Sequence, residues 1–188
     1  MYEEKLKPIL KDVENKDLEI AGGSVIGMVL ATVNSLIIYI ANLTIGKKKY
    51  EDVQTRIQDI IKETEVLKKT SLAVIDADKE VLSELLNLYK LKKENPEQYW
   101  QMCIKAVEFC LNVLELAFET LKISDEISKI GNKMLSSDFK ICKYYSYASI
   151  QAAIVNVEIN LSGIEDEKYK ISVKNKCDEI LELSKKYL

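Results

Sequence analysis

The chain has 188 residues, a near balance of 27 Lys plus Arg against 30 Asp plus Glu, and no histidine. That balance provides no whole-chain field toward nucleic acid or an anionic membrane, and the length suits one domain with its own core. The missing histidine removes the usual zinc ligand and the usual near-neutral general base, so proton transfer must fall to Asp, Glu, Lys, Tyr, Cys or water.

Six Gly and two Pro are few, and helix formers fill the stretches between them, which predicts an all-α fold. A short amphipathic helix (Tyr2, Leu6, Ile9, Leu10, Val13) leads to a break around Asn15 and to Ala21-Gly22-Gly23-Ser24. Ile20 to Gly46 then carries no charge. The run is long enough to span a bilayer, but Thr32, Asn34, Ser35 and Asn42 interrupt it and long amphipathic helices follow, which favours a buried bundle helix and no membrane partner. Gly46 is placed to stop it, with Lys47, Lys48 and Lys49 at its carbonyl end. A second helix is predicted from about Glu51 to Leu91, roughly 60 Å long at about 1.5 Å per residue. Its apolar stripe steps through Ile57, Ile60, Thr64, Leu67, Ser71, Val74, Asp78, Val81 and Leu85. Asn95-Pro96-Glu97-Gln98 reads as a capped start for a third helix ending at Gly131-Asn132. Ser137 and Asp138 can cap a fourth helix ending near Leu161, and a last one runs from Glu165. The sum is a single-domain, elongated bundle of five to six helices around an uncharged central helix. Cys103, Cys110, Cys142 and Cys177 show no CxxC pairing, and the N-terminus lacks a signal-peptide core, so free thiols in the cytoplasm are expected.

Three groups of residues could carry chemistry. Asp78 interrupts the apolar stripe, where its carboxylate must be paired, protonated or given a task; a helix-packing role is the plainer alternative. Gly22-Gly23-Ser24 ahead of a helix lets backbone approach an anionic ligand, and Gly23, Gly27 and Ala31 could equally form a close packing seam. Asn156 and Asn160 lie one turn apart, suited to the polar edge of a heteroaromatic ring or to satisfying backbone groups. Lys48, within its lysine run, is a solvated charge by default and a carboxylate holder beside a cavity.

Gly22-Gly23-Ser24-Val25, Ala41-Asn42-Leu43-Thr44-Ile45-Gly46-Lys47-Lys48-Lys49-Tyr50-Glu51-Asp52-Val53, Ile75-Asp76-Ala77-Asp78, Tyr89-Lys90-Leu91, Gly131-Asn132, Ser137-Asp138 and Asn156-Val157-Glu158-Ile159-Asn160-Leu161 together resemble the formiminotetrahydrofolate cyclodeaminase and methenyltetrahydrofolate cyclohydrolase family. The resemblance implies an all-helical, homodimeric enzyme that handles one-carbon units on tetrahydrofolate without a metal or further cofactor. It places Gly22, Gly23 and Ser24 at the folate, Lys48 near the ligand's carboxylates, and Asp78 by the reacting carbon, with Ser137, Asp138, Asn156 and Asn160 completing the pocket. The chain departs from the pattern at Ile20-Ala21, where Pro-Gly is usual, and at Val81, Leu82, Lys92, Phe139 and Lys140, which would put bulk and charge near the ligand. Two readings follow. One is an enzyme acting on 5-formiminotetrahydrofolate or 5,10-methenyltetrahydrofolate; the other is a degenerate paralogue that binds folate or protein without turnover.

Overall fold

The computed structural model describes residues 2–17 and 20–188. Among these, six α-helices follow in order: α1 (Tyr2–Glu14), α2 (Gly22–Asn42), α3 (Gln54–Lys90), α4 (Pro96–Ile130), α5 (Ser136–Leu161) and α6 (Glu167–Lys185). Helices α2 to α5 form a four-membered bundle in which α2 and α4 each lie between α3 and α5, and α6 packs on α4 and α5. The 37 residues of α3 span about 55 Å at roughly 1.5 Å per residue.

The uncharged run becomes α2. It is long and apolar enough to cross a membrane, yet Leu30, Ile37, Ile40 and Ala41 are fully buried among the other helices. Each such large side chain contributes about 1.5–3 kcal/mol on leaving water. One part of the core joins Leu30 to Leu114, Leu121, Ile150 and Val157; the other joins Ile37 and Ile40 to Ile57, Ile60, Ile127 and Cys142. Along the α3 stripe Ile57, Ile60, Thr64, Ser71 and Val74 are buried, whereas Asp78, Val81 and Leu85 beyond them are half-buried. That relaxation opens the space described below. Helix α1 forms as the sequence predicts, but none of its residues is buried.

Small residues bring α2 against α3. A Cβ added at Gly27 would meet the Ser71 carbonyl oxygen at 2.8 Å and Val74 Cγ1 at 3.1 Å, so the glycine seam is a packing device. Further along, Asn34 donates to the hydroxyls of Ser71 (3.3 Å) and Thr120 (3.4 Å), tying three helices through one buried polar layer.

Several ends differ from expectation. Helix α2 ends at Asn42, four residues before Gly46; a turn intervenes, and Gly46 (φ 72°) redirects the chain in the left-handed region. Its amide is taken up by Gln54 Oε1 at 2.8 Å. Asn95 precedes α4 without a side-chain cap bond, so the capped start expected there is not formed. Ser137 and Asp138 stand inside the first turn of α5, whose N-cap position is Leu135, and α6 is capped instead by Asp166, which accepts from the amides of Lys168 and Tyr169.

Candidate functional site

The site begins with a helix that lacks a cap of its own. Ala21 occupies the N-cap of α2 and has no side chain to satisfy the first-turn amides. That task falls to Asp78, 54 residues away on the antiparallel α3. Its Oδ2 accepts the Ser24 backbone N–H at 2.7 Å and stands 2.9 Å from the Ser24 hydroxyl, which also lies 3.0 Å from the Ile75 carbonyl. The helix dipole favours the carboxylate at this position. A Cβ at Gly23 would lie 2.5 Å from Asp78 Cγ and collide outright with Oδ1. The glycine is therefore what allows the carboxylate to sit on the helix end. Among the described residues Oδ1 accepts no hydrogen bond, whereas Oδ2 is held by Ser24.

Beyond Asp78 lies a cleft of about 210 Å³, bounded by Ala21, Gly22 and Gly23 on one side and by Asn156 and Asn160 of α5 on another. Gly22 abuts Asn156, whose Oδ1 would be 3.7 Å from a Cβ there. Asn160 donates to the Asn156 carbonyl at 2.9 Å and reaches Cys110 Sγ at 3.5 Å. Val81, Leu82, Leu85, Phe109 and Ile159 supply apolar walls. Burial pushes the Cys110 thiol up to about 12, so it stays protonated and is a poor nucleophile at neutral pH. No Lys or Arg lines the cleft among the described residues. One carboxylate, one helix end and a pair of amides facing apolar walls suit a flat, polar-edged ring and a proton moved at its rim.

Gly22, Gly23, Ser24, Asp78, Asn156 and Asn160 are thus brought together, whereas Lys48, Ser137 and Asp138 are not. Gly23 and Asn42 are nineteen residue steps apart on α2, about 28 Å along the axis, and Lys48 lies beyond that end in a shallow depression with Lys47, Glu51 and Gln54. Ser137 opens α5 at the same far end, about 28 Å from Asn156. The sequence pattern there has a structural task. The Asn132 amide donates to Thr44 Oγ1 at 3.0 Å and its side chain to the Leu43 carbonyl at 3.2 Å, while the Lys133 amide donates to the Tyr50 hydroxyl at 3.0 Å.

The departures divide likewise. Ala21, Val81 and Leu82 line the cleft, but Phe139 is buried against Gly131 and Lys140 is exposed, both in the first turns of α5 and far from it. Cys110, Phe109 and Ile159 were not anticipated as lining residues. Their signal is only the α4 and α5 periodicity, which does not say which turn of one helix faces which turn of another.

The fold and sequence have relatives. The family described as Formiminotransferase-cyclodeaminase matches residues 5–179. A methenyltetrahydrofolate cyclohydrolase of Methylorubrum extorquens is 26% identical over 142 residues, covering 72% of this chain and 68% of that protein. A formimidoyltransferase-cyclodeaminase of Gallus gallus is 24% identical over 171 residues, covering 87% of this chain but 32% of that longer protein. The crystal structure of formiminotetrahydrofolate cyclodeaminase from Thermotoga maritima superposes with a TM-score of 0.84 at 25% identity, covering 97% of this chain and 88% of that one. The chain belongs to the formiminotransferase-cyclodeaminase family.

Proposed function

We propose that this chain is a folate-dependent one-carbon enzyme acting at the carbon between N5 and N10 of tetrahydrofolate. The observation that carries the reading is the Asp78 carboxylate, fixed through one oxygen by Ser24 and open through the other to the cleft. Two reactions of the same carbon fit this arrangement. In 5-formiminotetrahydrofolate, N10 attacks the formimino carbon; Asp78 takes the N10 proton and returns it to the amino group, which leaves as ammonia when the tetrahedral carbon collapses. In 5,10-methenyltetrahydrofolate, water adds to the same carbon; Asp78 takes its proton and hands one to N5 as the C–N5 bond breaks, giving the 10-formyl compound. Side-chain and water protons suffice for either. The amides of Asn156 and Asn160 orient the pterin edge, and the apolar walls exclude competing water. We further propose a cytoplasmic setting, on the strength of four buried free thiols.

The non-catalytic reading is weaker: of Ala21, Phe139 and Lys140, which motivate it, only the small Ala21 lies at the cleft. The test is the absorbance of 5,10-methenyltetrahydrofolate, which rises if 5-formiminotetrahydrofolate is cyclised and decays if the methenyl compound is hydrolysed. Acceleration of either by the protein, lost about 100-fold or more in Asp78→Asn, supports the proposal. No acceleration of either, or an unimpaired Asp78→Asn, refutes it.

A further inference from the structure

We propose that the Asp78 cleft reads the 2-amino-4-oxo edge of a pterin, the 4-oxo group on the first amides of α2 and the 2-amino group on Asn160 Oδ1, and that Cys110 is the positioning residue that fixes Asn160 in this polarity. That the ring is a pterin rests on the functional reading above; the polarity of the cleft does not.

Asn160 sets one end of the pattern. Its Nδ2 lies 2.9 Å from the Asn156 carbonyl oxygen and 3.5 Å from Cys110 Sγ. A carbonyl only accepts, so the atom facing it is the amide nitrogen, and turning the side chain over would set oxygen against oxygen. Both N–H groups are thereby held within the protein. Asn160 Oδ1 has no partner among the described residues and is left to the cleft that Asn160 lines, where it can accept but not donate. Cys110 makes the second hold from α4, buried and lining the same cleft. A thiol sulfur accepts weakly and donates poorly, so it secures the amide without offering the cleft a strong donor.

The start of α2 has the opposite polarity. Gly22 and Gly23 follow Ala21, an N-cap with no capping side chain, and their amides have no partner among the described residues, while the Ser24 amide is taken by Asp78. These two amides donate and cannot accept. Asn156 stands between, against Gly22 and one turn before Asn160 on α5. Its side-chain amide is unpartnered among the described residues and can turn either oxygen or nitrogen to the cleft. From α2 to Asn160 the order is therefore donor, adaptable amide, acceptor.

The complement is a ring edge that runs acceptor, donor, donor. A 4-oxo group, N3–H and a 2-amino group in a row are such an edge. The same placement brings the reacting atoms to Asp78. The 4-oxo group and N5 are neighbours across the ring fusion, so an oxo group on the Gly22 and Gly23 amides puts the one-carbon unit on N5 at the end of the cleft where Asp78 sits on the same helix start. A 2,4-diamino edge sets an amino group against those amides, and a 2-methyl edge leaves Asn160 Oδ1 unpaired; each leaves a polar group without its partner.

Calorimetric binding of tetrahydrofolate, its 4-amino-4-deoxy analogue and its 2-desamino-2-methyl analogue tests the assignment. The wild type is expected to bind the 4-amino compound about 30-fold and the 2-methyl compound about 10-fold more weakly than tetrahydrofolate. Asn160→Leu should lose the preference at position 2 and keep that at position 4. Cys110→Ala should weaken the position-2 preference, and Cys110→Ser, whose hydroxyl oxygen can accept from Asn160, should restore it. A 4-amino compound bound as tightly as tetrahydrofolate overturns the edge, an undiminished position-2 preference in Asn160→Leu overturns the role of Asn160, and wild-type discrimination in Cys110→Ala overturns the role of Cys110. A wild type that binds none of the three overturns the functional reading, and the polarity is then judged without ligand: the two side-chain N–H hydrogens of Asn160 in the isotope-labelled protein should exchange slowly with solvent, one of them faster in Cys110→Ala. Rapid exchange of both in the wild type overturns the polarity.

Discussion

Replacing Gly23 by Ala isolates the contact on which the site depends. In an exposed helix the change stabilises by about 1 kcal/mol through backbone propensity. Here the new Cβ would collide with the Asp78 carboxylate, which must swing off the helix end and abandon the Ser24 amide and hydroxyl at 2.7 and 2.9 Å. Hydrogen bonds to a charged group contribute about 1.5–3 kcal/mol each. Subtracting the propensity gain leaves a net loss of about 2–5 kcal/mol, with turnover falling as far as in Asp78→Asn because the carboxylate no longer faces the cleft. Urea denaturation, compared at constant m-value, reads the stability. The informative control is the same substitution in an Asp78→Ala background, where nothing is left to collide with and Gly23→Ala should stabilise by about 1 kcal/mol. A Gly23→Ala chain as stable as wild type, or an equal loss in both backgrounds, would falsify the account of how α2 holds its carboxylate.

Other consequences follow from the core and its charges. Asn34 Oδ1 is buried with no partner among the described residues, while Ser71 and Thr120 already donate to the carbonyls of Leu67 and Leu116; Asn34→Leu should therefore raise stability by about 1 kcal/mol, and a loss in urea titration would count against the orphaned acceptor. Burial alone would raise the Asp125 carboxyl, but hydrogen bonds from Lys129 and Lys143 overcome it and hold the group below its ordinary value. Its contribution is complete above the unfolded value of about 3.9 and is lost as pH falls through the lower folded value. Lys143→Met should therefore cost about 2 kcal/mol near neutrality, with the two unfolding curves converging as the pH falls through that lower folded value; a gap that persists in acid would point to packing instead. All four thiols are buried, and burial pushes those of Cys110 and Cys142 up to about 12, so a chromogenic disulfide reagent at pH 8 should react only on unfolding. Prompt reaction of a thiol in the folded protein would contradict that packing.

Much of the architecture was legible along the chain because helical periodicity is local. The stripe from Ile57 to Val74, the charge-free α2 and the ends at Gly131 and Leu161 follow from residues within a few turns of one another. So did the anomaly at Asp78, since a carboxylate in an apolar stripe is visible without a partner. What the stripe could not show is that the partner is the uncapped end of α2: Ala21 has no capping side chain, and only the antiparallel pass of α3 brings Asp78 there. Capping itself misled at Gln98, Ser137 and Asp138, where the right residue types sit within reach of a helix start but the backbone places them elsewhere.

The grouping of motif residues is the clearest division between sequence and tertiary structure. Sequence alone determined the all-helical class, the absence of a histidine route for protons and the presence of a carboxylate in the apolar stripe of α3, because these depend on composition and on a 3.6-residue period. Tertiary structure decided that Gly22, Ser24, Asp78, Asn156 and Asn160 share one cleft while Lys48, Ser137 and Asp138 lie at the other end of the bundle. Helices about 30 Å or more in length separate residues along their axes, and only packing determines which ends meet.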